Sequence, residues 1–598
     1  MVAHSMKLGS MSAAVLLRKR KSLLRESHSA PNLTQVRVAI LGGSTTNEIA
    51  DFIELLLLEK GIEPVFYQSG FNRYFEESVL DPSPLIEFNP DIAYIHTSQA
   101  NIQAFPPLDA TESQLQGCVQ SELQRFAAIW QSLTNNTHCT VIQNNFEPPA
   151  ARILGNLDGV VPGGQTRMVN CLNSEFAREA NSNSRLIIND INAIAASLGL
   201  IHFHDARRWF SYKLITSPEG SLEIAKSVTA IISALYGRSR KCLVLDLDNT
   251  LWGGSIGDEG ADKIRIGKET PEAEAYTAFQ EYCLRLRERG VLLAVCSKNS
   301  EETAKEGFAH PDSLLKLSDF SCFKANWNPK HENIAAIAKE LNIGLESMVF
   351  VDDSAAEREL VSAQLPMVAV PDVGSDITNF IAILDGARYF EPAALTNEDL
   401  SRGKQYEANS QRALQQSQFA SYEDYLDSLE MSAEIGAFRP MYLERIAQLT
   451  NKTNQFNLTT RRYTPAEIET IAADPGYLTL YGKLSDKFGD NGLISVIIGR
   501  QELRTVHLDL WLMSCRVVKR DMEFAMLDAL VAACHERGVL EILGYYLPSQ
   551  RNSMVSDLYA KLGFNRVAQE EDGRSVWKLE LNGQYVPRNK HIRELVHG

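Results

Sequence analysis

The string LVLDLDNTLWGG, Leu243 to Gly254, brings two carboxylates, Asp246 and Asp248, to the end of an apolar run. Such a run suits a buried parallel strand, and open α/β sheets bind ligands beyond the carboxyl ends of their strands. Two apart on a continuing strand, the carboxylates face the same way. A chain that turns just after Asp246 gives them separate roles, which suits phosphoryl transfer. Asp246 is then placed to attack phosphorus and form an aspartyl-phosphate. Asp248 is placed to protonate the leaving oxygen and later activate water or another acceptor. Thr250 supports the turn. Neighbouring carboxylates repel, so a divalent cation is needed to hold both beside a phosphate, and Mg²⁺ suits an all-oxygen site.

Three downstream features complete the set in order. LLAVCSKN ends an apolar run at Ser297, whose hydroxyl suits a phosphate oxygen. Lys330, in NWNPKHENI, offers a cation to neutralise phosphate and nucleophile, with Lys324 as the alternative. MVFVDD ends a third run at Asp352 and Asp353. The expected metal set is Asp246, Asp248, Asp352 and Asp353, with Asp353 either a direct ligand or a hydrogen-bonding neighbour. Thr250, Asn299 and Arg461 are candidates for substrate binding. The stretches from Thr250 to Ser297 and from Ser297 to Lys330 are too short to carry an inserted domain over the carboxylates. The site is therefore expected to be open, which favours a bulky or protein-borne substrate, with water restrained by other means.

The elements that must position these residues read as an α/β, multi-domain chain. Residues 1–33 are expected to be a flexible leader or an expression-derived extension. Residues 34–238 alternate strand and helix from VRVAILGGSTT onward, the pattern of a doubly wound parallel sheet. Residues 239–395 repeat that alternation around the carboxylates, 396–432 suit a linker helix, and 433–598 form a third αβ segment. With 598 residues and 44% apolar content, each part has material for its own core. A formal charge of −16 argues against unspecific binding to nucleic acid or anionic lipid, and no apolar run is long enough to span a bilayer. The nine cysteines are scattered and never spaced CxxC, which suits a reducing cytoplasm rather than a disulfide scaffold or zinc site.

CLVLDLDNTLWGGSIGDEG, VCSKN, FKANWNPK, VFVDDSAAERE and TNKTNQFNLTTRRYT together resemble the FkbH-like proteins of the haloacid dehalogenase (HAD) superfamily, from Lys241 to the C-terminus. The resemblance implies an activity. Such enzymes take 1,3-bisphosphoglycerate, remove phosphate, and load a glyceryl group onto the phosphopantetheine thiol of an acyl carrier protein, with an enzyme cysteine holding the group on the way. Cys296, next to Ser297, is the first candidate for that cysteine, since Lys298 and Lys330 would favour a thiolate. Against this, strand neighbours alternate faces, so Cys296 can equally point away from the site. Cys515 is the second candidate, and Cys242 is read as packing. The competing functions are a plain phosphatase of a phosphorylated metabolite or sugar, and a carrier-protein docking scaffold.

The flanks carry two further resemblances. Val36 to Tyr236 is similar to an SGNH-hydrolase domain, with Ser44 at the nucleophile position and Asn144 or Asn145 as oxyanion donor. HFHDARRWF puts His204 before Asp205 and Arg208 where a base should stand, so a binding scaffold is expected rather than an esterase. The last segment resembles the GNAT acyltransferase fold, and YAKLGF, Tyr559 to Phe564, matches one of its elements. At the pyrophosphate turn Arg516 fits, but Lys519 and Asp521 stand where small residues let backbone N–H groups approach a phosphate. NKTNQFNLTTRRYT reads either as a capped turn network or as a polar wall over the site or the carrier arm, with Arg461 and Arg462 available for phosphate.

Overall fold

The computed structural model describes residues 8–28, 33–395 and 405–595, apart from 406, 407, 410, 413, 414, 417, 420, 454, 515, 516, 550, 551, 582 and 584. The chain forms two compact units, Met1–Ser233 and Ala234–Gly598. None of the described helices is long and apolar enough to cross a membrane.

The first unit is built on five parallel strands: β1 (Thr34–Gly42), β2 (Ile62–Gln68), β3 (Ile92–His96), β4 (Thr140–Asn144) and β5 (Leu186–Asn189). Their order is β2-β1-β3-β4-β5, so the winding direction reverses between β1 and β3. Every residue of β3 is buried, as expected of a strand covered on both faces. The helix Glu112–Thr137 starts at a capping box between Thr111 and Gln114, and its Phe126 and Trp130 pack edge-on against Phe176. Residues 13–28 depart from the expected flexible leader. They form a helix that buries Leu16 and Leu23 and pairs Arg20 with Asp51 and Glu54, at 3.0 and 2.6 Å, on the helix Asn47–Glu59. A basic surface stripe hid its apolar side from the sequence reading.

The second unit opens with four parallel strands, β6 (Cys242–Leu245), β7 (Leu292–Ser297), β8 (Phe320–Ala325) and β9 (Met348–Val351), in the order β8-β7-β6-β9. Leu245 lies in register with both Val295 and Val351, so the three chemistry-bearing strands end at one level. Alternation along β7 splits its side chains. Leu293 and Val295 join the core that contains Trp252 and Phe279, whereas Leu292, Ala294 and Cys296 join the core under the helix Lys330–Glu340.

The rest of the unit is an eight-stranded mixed sheet: β10 (Met431–Gly436), β11 (Tyr477–Asp486), β12 (Gly489–Glu502), β13 (Thr505–Met513), β14 (Glu541–Tyr546), β15 (Asn565–Gln569), β16 (Ser575–Glu580) and β17 (Ile592–Glu594). Their order is β15-β16-β14-β13-β12-β11-β10-β17, and the helix Met522–Glu536 packs its Met522, Met526 and Leu530 into the sheet's core. This is the α+β arrangement expected of a GNAT-like domain. β13 and β14 run parallel but pair only over Thr505–Leu508 and Glu541–Gly544. Beyond that point the chain's own Phe456–Leu458 fills the gap. Leu458 N–H donates to Trp511 O at 3.1 Å, Met513 N–H to Phe456 O at 3.0 Å, and Leu547 N–H to Leu458 O at 2.8 Å. The segment thus bridges to β13 at Asn457, and it also carries the capped turn bonds of the first reading: Asn457 Oδ1 accepts the Thr460 N–H at 2.9 Å and Asn451 Nδ2 donates to the Tyr463 carbonyl at 3.0 Å. Of the expected linker helix, Tyr422–Ser428 is helical, and much of the remainder lies outside the described residues.

Candidate active site

The chain leaves the four-stranded sheet at Asp246, whose N–H still donates to Val351 O at 3.0 Å. Asn249 then takes a left-handed conformation (φ 54°), which turns the chain immediately after Asp248. Asp246, Asp352 and Asp353 each offer a carboxylate oxygen, and all three oxygens lie within 4.8 Å of one another. Lys330, on the first turn of its helix, reaches two of these groups, with Nζ 2.9 Å from Asp246 Oδ2 and 2.5 Å from Asp352 Oδ2. Asp352 is further held by the Ser354 N–H on Oδ1 at 2.9 Å, and the Asp353 N–H donates to Thr250 Oγ1 at 3.3 Å. Thr250 thus ties the first and last motifs together.

The electrostatics of this cluster are unbalanced. Burial raises the carboxyl pKa of Asp246, Lys330 lowers it, and Asp352 raises it again, with a net upward result. Burial likewise raises Asp352, and burial followed by the charge on Asp246 raises Asp353. Burial works against the Lys330 cation, but the two carboxylates outweigh it and hold its pKa above the ordinary lysine range. One lysine thus stays charged without relieving all three acids. Asp246 Oδ1 is buried and accepts no hydrogen bond. Three carboxylates against one ammonium leave two negative charges, and the donors are all oxygens. These residues fit a divalent magnesium ion.

The Asp248 carboxylate, expected among the metal ligands, is held elsewhere. Its Oδ1 accepts from Trp252 Nε1 at 2.9 Å and from the Ile256 N–H at 3.2 Å, and its Oδ2 accepts from Asn299 Nδ2 at 3.0 Å. The turn after β6 separates the two aspartates, so the same-face alternative is not adopted. Asn299 also lies 3.5 Å from Ser297 Oγ. Ser297 is buried at the end of β7, beside the Asp248 partner rather than among the three acids. Lys324 pairs with Glu340 at 2.6 Å, at the far end of the helix that Lys330 begins, which leaves Lys330 as the lysine of the cluster.

Three expected participants are placed differently. Cys296 is fully buried, its Sγ lies 3.6 Å from the Lys330 carbonyl, and burial raises its thiol pKa. It faces the core beneath the helix, away from the carboxylates, because it has the opposite strand parity to Ser297. Arg461 pairs with Asp509 of β13 at 2.9 Å, and Arg462 donates to Tyr236 O and Asn451 O. Both therefore serve the mixed sheet and its join to residue 236. Cys515 and Arg516 lie outside the described residues. At the neighbouring turn Arg520 is buried against Asp486 at 3.0 Å, and Lys519 and Asp521 are left-handed.

In the first unit Ser44 follows β1 at the point where the winding reverses. Its Oγ is buried and has no hydrogen-bond partner, so no base reaches it. His204 Nε2 lies 3.7 Å from Glu147 Oε1, Asn144 is engaged by Asn189 and the Thr97 carbonyl, Asn145 by Asp190, and Arg208 by Glu48 at 2.6 Å. His204 stands out in the HFHD string, but Glu147, 57 residues earlier, carries no sequence signal that would join the two.

Comparison with known proteins agrees with this division. The family described as FkbH, N-terminal domain, matches residues 37–233. The N-terminal part of the protein BF1531 from Bacteroides fragilis, a structure containing a phosphatase domain complexed with Mg, is 30% identical; the match covers 63% of this chain and 99% of that one, with a TM-score of 0.58. Smaller matches include the ribosomal-protein-S18-alanine N-acetyltransferase of Escherichia coli (15% identity, 26% of this chain and 98% of that one, TM-score 0.20) and Ard1 of Thermoplasma volcanium (17%, 25% and 99%, 0.20). No curated protein matches. With the HAD phosphatase site assembled at the carboxyl edge of β6, β7 and β9, and with a relative of this identity matched over nearly its whole length, the chain belongs to the FkbH family.

Proposed function

We propose that the second unit is a Mg²⁺-dependent phosphoryl-transfer enzyme with Asp246 as nucleophile, and that it prepares a glyceryl group from 1,3-bisphosphoglycerate for an acyl carrier protein. The observation that supports the first part is the buried, unpartnered Asp246 Oδ1 among three carboxylates and one lysine. Asp246, Asp352 and Asp353 would hold the ion, which supplies the positive charge that Lys330 alone does not. Lys330 orients Asp246 through Oδ2 and leaves Oδ1 to attack phosphorus. As the phosphorus–oxygen ester bond breaks, the departing alkoxide takes a proton from Asp248. Water then attacks the aspartyl-phosphate, returns a proton to Asp248 and releases inorganic phosphate.

The glyceryl part rests on the family resemblance and on the chemistry of the donor. 1,3-Bisphosphoglycerate carries an acyl phosphate, which a thiol displaces directly, and an alkyl phosphate ester, which needs a nucleophile and a proton donor. The aspartate pair suits the second. A plain phosphatase is the competing reading, and the burial of Cys296 away from the acids favours it, because no described thiol is presented to the site. Intact-protein mass spectrometry after incubation with 1,3-bisphosphoglycerate, Mg²⁺ and a phosphopantetheinylated carrier separates the two. The proposal expects a glyceryl adduct on the carrier, lost in Asp246→Ala and retained in Cys296→Ala. Free phosphate without an adduct leaves the phosphatase.

A further inference from the structure

The Asp248 carboxylate accepts three hydrogen bonds, all from the enzyme. Trp252 Nε1 and the Ile256 N–H occupy Oδ1, and Asn299 Nδ2 takes one side of Oδ2. The indole is fixed on its other edges. Trp252 is fully buried, meets Phe308 in a T-shaped contact at 5.2 Å, and lies so close to Gly307 that a Cβ there would come within 2.7 Å of the ring. Asn299 is buried too, two residues beyond Ser297. A carboxylate needs no such cage to fold. An exposed aspartate is solvated by water, and a purely structural one requires no buried indole matched to a missing side chain.

We propose that Trp252 and Asn299 are positioning residues for Asp248. Together with the Ile256 N–H they fill Oδ1 and one side of Oδ2, turn the carboxyl away from the three-acid cluster and leave one face of Oδ2 to exchange a proton with the leaving oxygen. The WGG string after the nucleophile motif thus acts on the proton-transfer step, not on the nucleophile. This rests on the phosphoryl-transfer reading above and adds a division of labour to it. Asp246 and Lys330 serve every substrate, whereas Trp252, Asn299 and Asp248 matter in proportion to how badly the leaving group needs a proton.

That proportionality is measurable with the full-length protein, Mg²⁺ and a series of phosphate monoesters running from acidic phenols to glycerol phosphate. Positioned acid–base groups contribute roughly 10²–10⁴-fold when the proton is needed. Trp252→Phe keeps the ring and removes the donor, and Asn299→Ala removes the other side-chain donor. Each is expected to lower kcat/KM by about 10- to 100-fold for the alkyl ester and by about threefold or less for the most acidic phenol, steepening the dependence on leaving-group pKa. Gly307→Ala, which touches no substrate, is expected to steepen it in the same direction by displacing the indole. Asp248→Asn sets the full size of the effect. A uniform fall across the series in soluble, cooperatively melting variants overturns the inference, because a merely structural role weakens all substrates alike. Steepening in Asp248→Asn but not in Trp252→Phe or Asn299→Ala also overturns it while leaving the proposed function standing. Turnover that survives Asp246→Asn, or no turnover of any ester by the unaltered protein, removes the proposed function, and this inference with it.

Discussion

Two parallel sheets in this chain end their strands in polar side chains at the edge where α/β folds bind ligands, yet the two edges differ in what those side chains have been given. In the second unit Asp246, Asp352 and Asp353 share Lys330, and Asp248 is caged by named donors. In the first unit Ser44 Oγ, Glu147 Oε1 and His204 Nε2 are buried without hydrogen-bond partners. Unpaired polar atoms occur at both edges, but among the described residues only those of the second unit converge with like charges that a cation and a phosphate would satisfy. Strand-end position alone does not make a site. A shared charge balance does, and Lys330 is the residue that sets it.

The sharpest way to break the comparison is therefore Lys330→Met. Removing one partner of a buried ion pair costs about 3–5 kcal/mol, because uncompensated charge is left behind. Phosphoryl transfer is expected to fall to background, and the melting transition of the second unit to drop. That drop should shrink as Mg²⁺ is raised, since the ion then carries the whole compensation. Calorimetry with and without Mg²⁺ checks this. An equal stability loss at every Mg²⁺ concentration would mean that the three acids do not hold the ion.

Much of the second edge was legible because apolar runs end abruptly at polar residues: LVLD, LLAVCS and MVFVDD. Parallel register then brings those ends to one level. The parity of β7 was legible as well, and it places Cys296 opposite Ser297. Side-chain partners distant in sequence were not legible. Asp248 leaves the metal set because of Trp252 and of Asn299, which lies 51 residues away. Segment Phe456–Leu458 joins the mixed sheet through backbone groups and buries Phe456 and Leu458 in its core, but three residues are too short a run for alternation to announce it. The helix Ala13–His28 docks through a narrow apolar stripe among arginines and lysines. Patterns of residue type report strand ends well. They report poorly on which polar groups meet.

The first edge has its own titration. Burial pushes the Glu147 carboxyl up to about 8, so the folded unit prefers the protonated acid. Stability from this group is fully present below its unfolded pKa of about 4.3 and is lost as pH rises through about 8. Burial also lowers the pKa of its neighbour His204, which acts in the opposite sense, as pH falls below the ordinary histidine range. Glu147→Gln mimics the protonated acid. Its melting temperature is expected to match that of the unaltered protein near pH 4.5 and to exceed it by about 5 °C or more at pH 8. A gap that does not grow with pH would show that Glu147 is ionised in the fold, and the first edge would then be charged like the second.

The smallest effect belongs to Ser44. Its Oγ is buried and makes no hydrogen bond, so the hydroxyl carries a desolvation cost with no bond to offset it. Ser44→Ala removes that cost and leaves a methyl group in the same space. The expected result is a melting temperature unchanged or raised by about 2 °C, with phosphoryl transfer by the second unit unaffected. A serine that served as a nucleophile would behave differently, because its loss would abolish an acyl-enzyme trapped by an activated ester. Incubating the full chain with such an ester and locating the adduct by mass spectrometry decides the matter. No label on Ser44 fits an edge without a base in reach. A label lost in both Ser44→Ala and His204→Ala would show that His204 moves to serve it, and that the two edges differ in readiness rather than in kind.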